Sequence, residues 1–264
     1  MALNYLKKNK DSWNKRTEVH LESEFYNNKA FLEGANPLDD IVLNILGDIK
    51  GKTVLHLQCH FGQDTLQMAR MGAKTTGVDL SDKAIEAARK FNEQLGLDSR
   101  FICCDVYDLP NHLEEKFDIV FTSYGTIGWL PDIDRWAAVV SRFLKPGGQF
   151  IFAEFHPVVW MFDDAFSKVE YRYFQDEPIV EFDQGTYTDG GEHLKTESVS
   201  WNHGLAEVMS SLIRQGIELL QFEEYDYSPY ACFSPIEQIG ERKFRIKHLG
   251  DKIPMVYSLV GRKK

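Results

Sequence analysis

Thr53-Val54-Leu55-His56-Leu57-Gln58-Cys59-His60-Phe61-Gly62-Gln63-Asp64-Thr65-Leu66, continued by Lys74-Thr75-Thr76-Gly77-Val78-Asp79-Leu80-Ser81, decides the fold. An apolar run, a tight turn, a helical pattern and a second strand-like stretch closed by an acid read as strand, turn, helix, strand. That order suits a bound nucleoside: the turn approaches the ligand, and a carboxylate at the second strand's end accepts from two ribose hydroxyls. The turn is poor in glycine, with Gly62 alone in it.

The rhythm continues on both sides. Residues 11–40 read as a helical arm carrying Trp13, Phe25, Tyr26 and Phe31, and Ile41–Leu46 leads to the first strand, Thr53–Leu57. A helix from Gln63 to Met71 stops at Gly72. Ser81 is a good N-cap for a helix whose Ala84, Ala88, Phe91 and Leu95 form one stripe. Strands follow at Arg100–Cys104 and Phe117–Thr122. A helix is expected from Pro131 to Leu144, then a turn at Lys145-Pro146-Gly147-Gly148 and a fifth strand at Gln149–Phe155. Strands alternating with helices imply a parallel sheet covered on both faces. After Phe155 the chain turns aromatic and β-prone, so residues 157–201 read as an insertion of antiparallel strands. Helical spacing returns over His203–Arg214, and Glu218–Tyr227 and Met255–Gly261 read as a closing antiparallel pair. The expected fold class is α/β, a Rossmann-like, doubly wound and mostly parallel sheet with a β-rich insertion. It is one domain: an N-terminal lid over 1–45, a core over 46–156 and 202–264, and the insertion as substrate cover.

The 264 residues carry a formal net charge of −10, which argues against a nucleic-acid partner, because such partners need clustered Lys and Arg. Cys59, Cys103, Cys104 and Cys232 lack the paired spacing of a zinc site, and a reducing, cytoplasmic setting is expected. The N-terminus has no apolar core of signal-peptide length, and no apolar run reaches bilayer length. No membrane partner and no metal are expected; His60, His193 and His203 share no ligand spacing.

Taken together, these motifs resemble the class I S-adenosylmethionine-dependent methyltransferases of the small-molecule type, over residues 53–155 and from His203 to the end. That family usually places an acid and three alternating glycines in the first turn. Here His56 stands at the acid, Gln58 and His60 at two glycines, and Gly62 at the third. Asp79, followed by Leu80, matches the ribose-binding acid. Asp105 matches the acid that accepts from the adenine amino group, and Val106 the residue whose backbone meets the ring. The Phe117–Gly125 stretch, which contains Ser123, resembles the fourth-strand signature, and Lys145–Gly148 the family's turn before the fifth strand. The resemblance implies S-adenosyl-L-methionine as cofactor and a small-molecule methyl acceptor. By analogy with lids of the family, Tyr26 and His20 line the pocket and Arg16 pairs with the methionine carboxylate.

Chemistry belongs at the C-terminal strand ends, which picks out Tyr124 and His156, the latter as base or substrate contact. Trp160, Phe162, Phe166, Tyr171, Tyr173 and Tyr187 of the insertion form either a receptor for a cation or a structural cluster. Two functional alternatives stay open. One is a non-catalytic S-adenosylmethionine-binding protein, motivated by Gln58 and His60. The other is a NAD(P)-dependent oxidoreductase, which shares the ribose acid but normally needs a glycine-rich turn for its pyrophosphate. The acceptor, the atom methylated and the oligomeric state are not legible.

Overall fold

A computed structural model describes residues 4–174 and 177–264; the first three residues of the arm and two of the insertion lie outside it. The arm is three helices, α1 (Tyr5–Glu22), α2 (Asn28–Leu32) and α3 (Asp40–Leu46). The expected unit follows as β1 (Thr53–Leu57), α4 (Gln63–Arg70), β2 (Lys74–Asp79), α5 (Asp82–Gln94) and β3 (Arg100–Cys103). Next come β4 (Phe117–Ser123), α6 (Ile133–Phe143) and β5 (Leu144–Phe155). The insertion supplies the hairpin β6 (Ile179–Gln184) and β7 (Lys195–Ser200). The chain continues with α7 (Leu205–Arg214) and β8 (Ile217–Tyr225), adds a second hairpin of β9 (Ile236–Gly240) and β10 (Lys243–Ile246), and closes with β11 (Val256–Lys263).

Seven strands form one sheet in the order β3-β2-β1-β4-β5-β11-β8. The first five are parallel, and β11 runs antiparallel to both β5 and β8, so the expected Rossmann-like sheet and its antiparallel closing pair are both present. The sequence of β1 explains its central place. Val54, Leu55, His56 and Leu57 are all buried, as both faces of a covered parallel sheet require. Leu55 and Leu57 join the core under α6 and α7, with Trp136, Phe150, Phe152 and Tyr257. Val54 joins the opposite core under α3, with Ile119, Phe121, Ile151 and Phe155.

Three expectations change. The helix expected from Pro131 starts at Ile133, because the Asp132 side chain accepts from Arg135 N–H and caps it. Lys145–Gly148 is not a separate turn: β5 begins at Leu144, and its pairing with β4 jumps from Phe117↔Leu144 to Ile119↔Gln149. A Cβ at Gly148 would stand 2.9 Å from Lys145 O and 3.1 Å from Asp118 O, so this irregular crossing needs glycine. The β9–β10 hairpin was not expected. Its residues are half-exposed without clean alternation, so they carry no period-two signal.

Candidate active site

The site forms where β1, β2 and β4 end. In the turn after β1, Gln58 has φ 55°, His60 φ 49° and Gly62 φ 79°. These alternate residues adopt the left-handed conformation that glycine takes freely, at a cost of about 1–2 kcal/mol for each non-glycine. Side-chain and backbone bonds offset it. Gln58 Nε2 donates to Thr126 O at 2.7 Å, and His60 N donates to Asp79 Oδ2 at 2.8 Å. The His60 ring nitrogen Nε2 lies 3.1 Å from His20 Nδ1. Gly62 is required twice, by its φ and because a Cβ would stand 2.8 Å from the Phe101 ring. His56 faces helix α4 instead of the site. Its Nδ1 is 2.8 Å from Thr65 Oγ1, its ring lies 4.8 Å from Phe121, and burial lowers its pKa to about 3.

The Asp79 carboxylate ends β2. Oδ2 accepts from His60 N and Oδ1 from Ser81 N, each at 2.8 Å. Burial raises its pKa to about 6, against the lowering effect of those N–H groups. Cys104 N donates to Asp79 O, which brings Leu80 and Asp105 to the same edge. Asp105 caps a 3₁₀ turn by accepting from Tyr107 N at 3.1 Å. The Val106 side chain is buried in the core.

At the end of β4, Ser123 Oγ lies 3.4 Å from Asp64 Oδ2, and Tyr124 Oη donates to Asp39 Oδ1 at 3.1 Å. Glu154 of β5 holds the loop beyond. Its carboxylate accepts from Gly125 N, Thr126 N, Thr126 Oγ1, Ile127 N and Phe155 N.

The arm covers the turn. Trp13 packs 5.3 Å from His60 and 5.4 Å from Trp129. Tyr26 Oη is 2.6 Å from Tyr187 Oη of the insertion, and its ring is 5.6 Å from His60. His20 Nε2 is 2.8 Å from Thr186 Oγ1. Burial, with Arg16 nearby, lowers the His20 pKa to about 3. His60 is held well below the usual imidazole range by burial and by His20.

The structure thus brings Gln58, His60, Gly62, Asp79, Leu80, Asp105, Val106, Ser123 and Tyr26 to one rim. Two expectations are corrected. Arg16 is committed within the chain: its Nη2 donates to Asp183 Oδ2 at 2.7 Å and its Nε to Ser12 Oγ at 3.3 Å. His156 does not join Tyr124. Its Nδ1 accepts from Val158 N at 3.2 Å, its Nε2 is 2.9 Å from Glu224 Oε1 on β8, and its ring packs by Tyr257 in the α6–α7 core. Tyr124 packs on Phe155, in the core on the α3 side. The insertion aromatics serve packing: Trp160 and Phe166 lie against Phe233, and Phe162 stacks on Phe166. Asp39, Asp64, Glu154, Tyr230 and Arg242 were not singled out in the sequence. Asp64 reads there as an ordinary first-turn helix acid, and Tyr230 and Arg242 sit in the stretch without periodicity.

A family model described as a methyltransferase domain matches residues 54–148. A ubiquinone biosynthesis O-methyltransferase of Alkalilimnicola ehrlichii is 32% identical over 123 residues, 46% of this chain and 49% of that protein. One from Coxiella burnetii is 33% identical over 105 residues, 40% of this chain and 44% of that protein. The chain therefore spans about half the length of the curated relatives it matches. Among solved structures, a geranyl diphosphate C-methyltransferase from Streptomyces coelicolor superposes with TM-score 0.62 at 15% identity, over 100% of this chain and 99% of that one. An S-adenosylmethionine-dependent methyltransferase from Mesorhizobium loti gives TM-score 0.56 at 20% identity, over 88% and 100%. At these identities the structural likeness establishes the fold.

Proposed function

We propose that the chain is a class I S-adenosylmethionine-dependent methyltransferase that transfers a methyl group from S-adenosylmethionine to a small molecule, a reading supported by the methyltransferase-domain match at residues 54–148 and by the O-methyltransferase relatives. The observation that carries this reading is the pairing of the glycine-like turn with the Asp79 carboxylate. The Asp79 oxygens receive backbone N–H groups of His60, Ser81 and Leu80, and a carboxylate has about four lone-pair sites, which leaves room for a ribose hydroxyl.

The residues present fit the cofactor. Gln58 Oε1 and His60 Nδ1 are buried atoms on this turn without a hydrogen-bond partner among the described residues, and buried polar groups call for one. Whichever tautomer links His60 to His20, the outer nitrogen Nδ1 keeps unmet capacity. Asp79 would hold the ribose, Asp105 the adenine amino group, and the backbone at Leu80 and Val106 the ring. Gln58 and Ser123 would flank the methionine end. When bound, the sulfonium supplies an electrophilic methyl group. The protein's part is to align the acceptor and exclude water, and Trp13, Tyr26 and the insertion are placed to do so.

Asp79→Ala should weaken binding of S-adenosylhomocysteine by about 1–3 kcal/mol, the loss of charge-assisted hydrogen bonds. Calorimetry showing unchanged affinity would remove Asp79 from the donor site and with it the basis of this reading.

A further inference from the structure

Resting on that reading, we propose that Asp39 and Asp64 form the seat of the methyl acceptor and that the acceptor presents a protonated amine to them. The two carboxylates come from different segments. Asp39 caps α3, accepting at Oδ1 from Ile41 N, Val42 N and Tyr124 Oη. It is 3% exposed, yet its Oδ2 is buried without a hydrogen-bond partner among the described residues. Asp64 lies in the first turn of α4, directly beyond the donor turn, and its Oδ2 is 3.4 Å from Ser123 Oγ. Burial, and after it the like charge of Asp39, disfavours ionisation of Asp64; burial does the same to Asp39.

The neighbouring cation does not neutralise the pair. Arg242, between β9 and β10, donates from Nη1 to Leu38 O at 2.9 Å and from Nη2 to Pro37 O at 2.6 Å. Two carboxylates facing one guanidinium leave a net negative centre. The surrounding groups are rings. Tyr230 lies 5.1 Å from Tyr124, and Tyr26, Tyr124 and Tyr230 all interact electrostatically with Asp64. Carboxylates edged by tyrosines favour an organic ammonium, through ion pairing and attraction to the ring faces. A neutral phenol would leave Asp39 Oδ2 and Asp64 without a charged donor.

Asp64 contacts Ser123 of β4 and feels the charges of Asp39, before α3, and of Arg242, in the β9–β10 turn; Tyr124, Tyr26 and Tyr230 feel its charge in turn. Burial and Asp39 raise its pKa to about 6, so amine binding should be strong above that pH and fade below it.

The test is calorimetry on the full chain saturated with S-adenosylhomocysteine, using tyramine, benzylamine and putrescine, with p-cresol and 3-(4-hydroxyphenyl)propionate as neutral and anionic controls. At pH 7.5 at least one amine should bind tenfold or more tighter than both controls. Asp64→Asn should weaken that amine at least tenfold while holding S-adenosylhomocysteine within threefold. Asp39→Asn, which keeps a capping side chain, should do likewise. Overturning results are that no amine binds, that p-cresol binds as well as the amines, or that both variants bind the amine as wild type does. Should S-adenosylhomocysteine itself fail to bind, the methyl-transfer reading falls, and the same amine titrations without it still judge the carboxylate seat.

Discussion

Gln58 and His60 take a glycine's backbone without being glycine, and each has a bond that explains why. Gln58 reaches the loop after β4, and His60 reaches α1, so the turn is tied on both sides by side chains that glycine lacks. The sequence located this turn and the Asp79 beside it from strand–turn–helix order alone. It could not place His56, because alternation along a strand does not say which face meets a helix. Nor could it follow His156 past the end of β5, where only the Val158 and Glu224 contacts fix the ring. The His20–His60 pair makes a pH prediction. Both imidazoles have folded-state pKa values below the usual one of about 6.5, so their contribution is complete above that pH and is lost as pH falls below it. Asp64 and Asp79, raised to about 6, run the other way: their contribution is complete below the ordinary carboxyl pKa of about 4 and is lost as pH rises through 6. His60→Gln leaves those acids in place. Between pH 7.5 and 5 the wild type's thermal midpoint should therefore fall further than that of His60→Gln; parallel falls would contradict the neutral buried pair.

At the level of elements, β1 and β4 were legible because burial on both faces demands near-continuous apolar runs, and β2 because it lies between the helix stop at Gly72 and the N-cap Ser81. The start of β5 and the β9–β10 hairpin were not, since a register jump and half-exposed residues erase that signal. Glu154 shows how one residue fixes the relation between elements. From the inside of β5 it gathers backbone N–H groups of the loop that follows β4, and so holds that loop beside the donor turn. Glu154→Gln would set an amide N–H₂ against those donors. It should cost about 2–3 kcal/mol, the penalty for unsatisfied buried groups, in urea denaturation. A loss below about 0.5 kcal/mol, the usual range for surface substitutions, would show that the loop does not depend on this carboxylate.

Across the whole molecule, the arm and the insertion behave as two halves of one cover. Asn9 exchanges hydrogen bonds with Val199 at both O and N, Arg16 pairs with Asp183, and Lys8 meets Glu197, so α1 is fastened to the β6–β7 hairpin more than to the sheet. Its buried face is polar, with Asn9, Ser12, Arg16, Thr17 and His20, which explains why apolar periodicity there does not reveal its packing. Among the described residues no helix is long and apolar enough to cross a membrane. If this cover closes on the donor, S-adenosylhomocysteine should slow amide hydrogen exchange in α1 and β7 together, and Asn9→Ala should abolish that joint protection. Protection confined to residues 53–81 would mean that the cover does not respond to the site. The central claim is that the glycine-poor turn and Asp79 hold a methyl donor's nucleoside. Its most direct measurement is a calorimetric titration of the wild-type chain with S-adenosylmethionine, S-adenosylhomocysteine and NAD. The account predicts saturable binding of the first two at one site and none of the third. Binding of NAD in preference to both, or no binding of either sulfur compound, would contradict it.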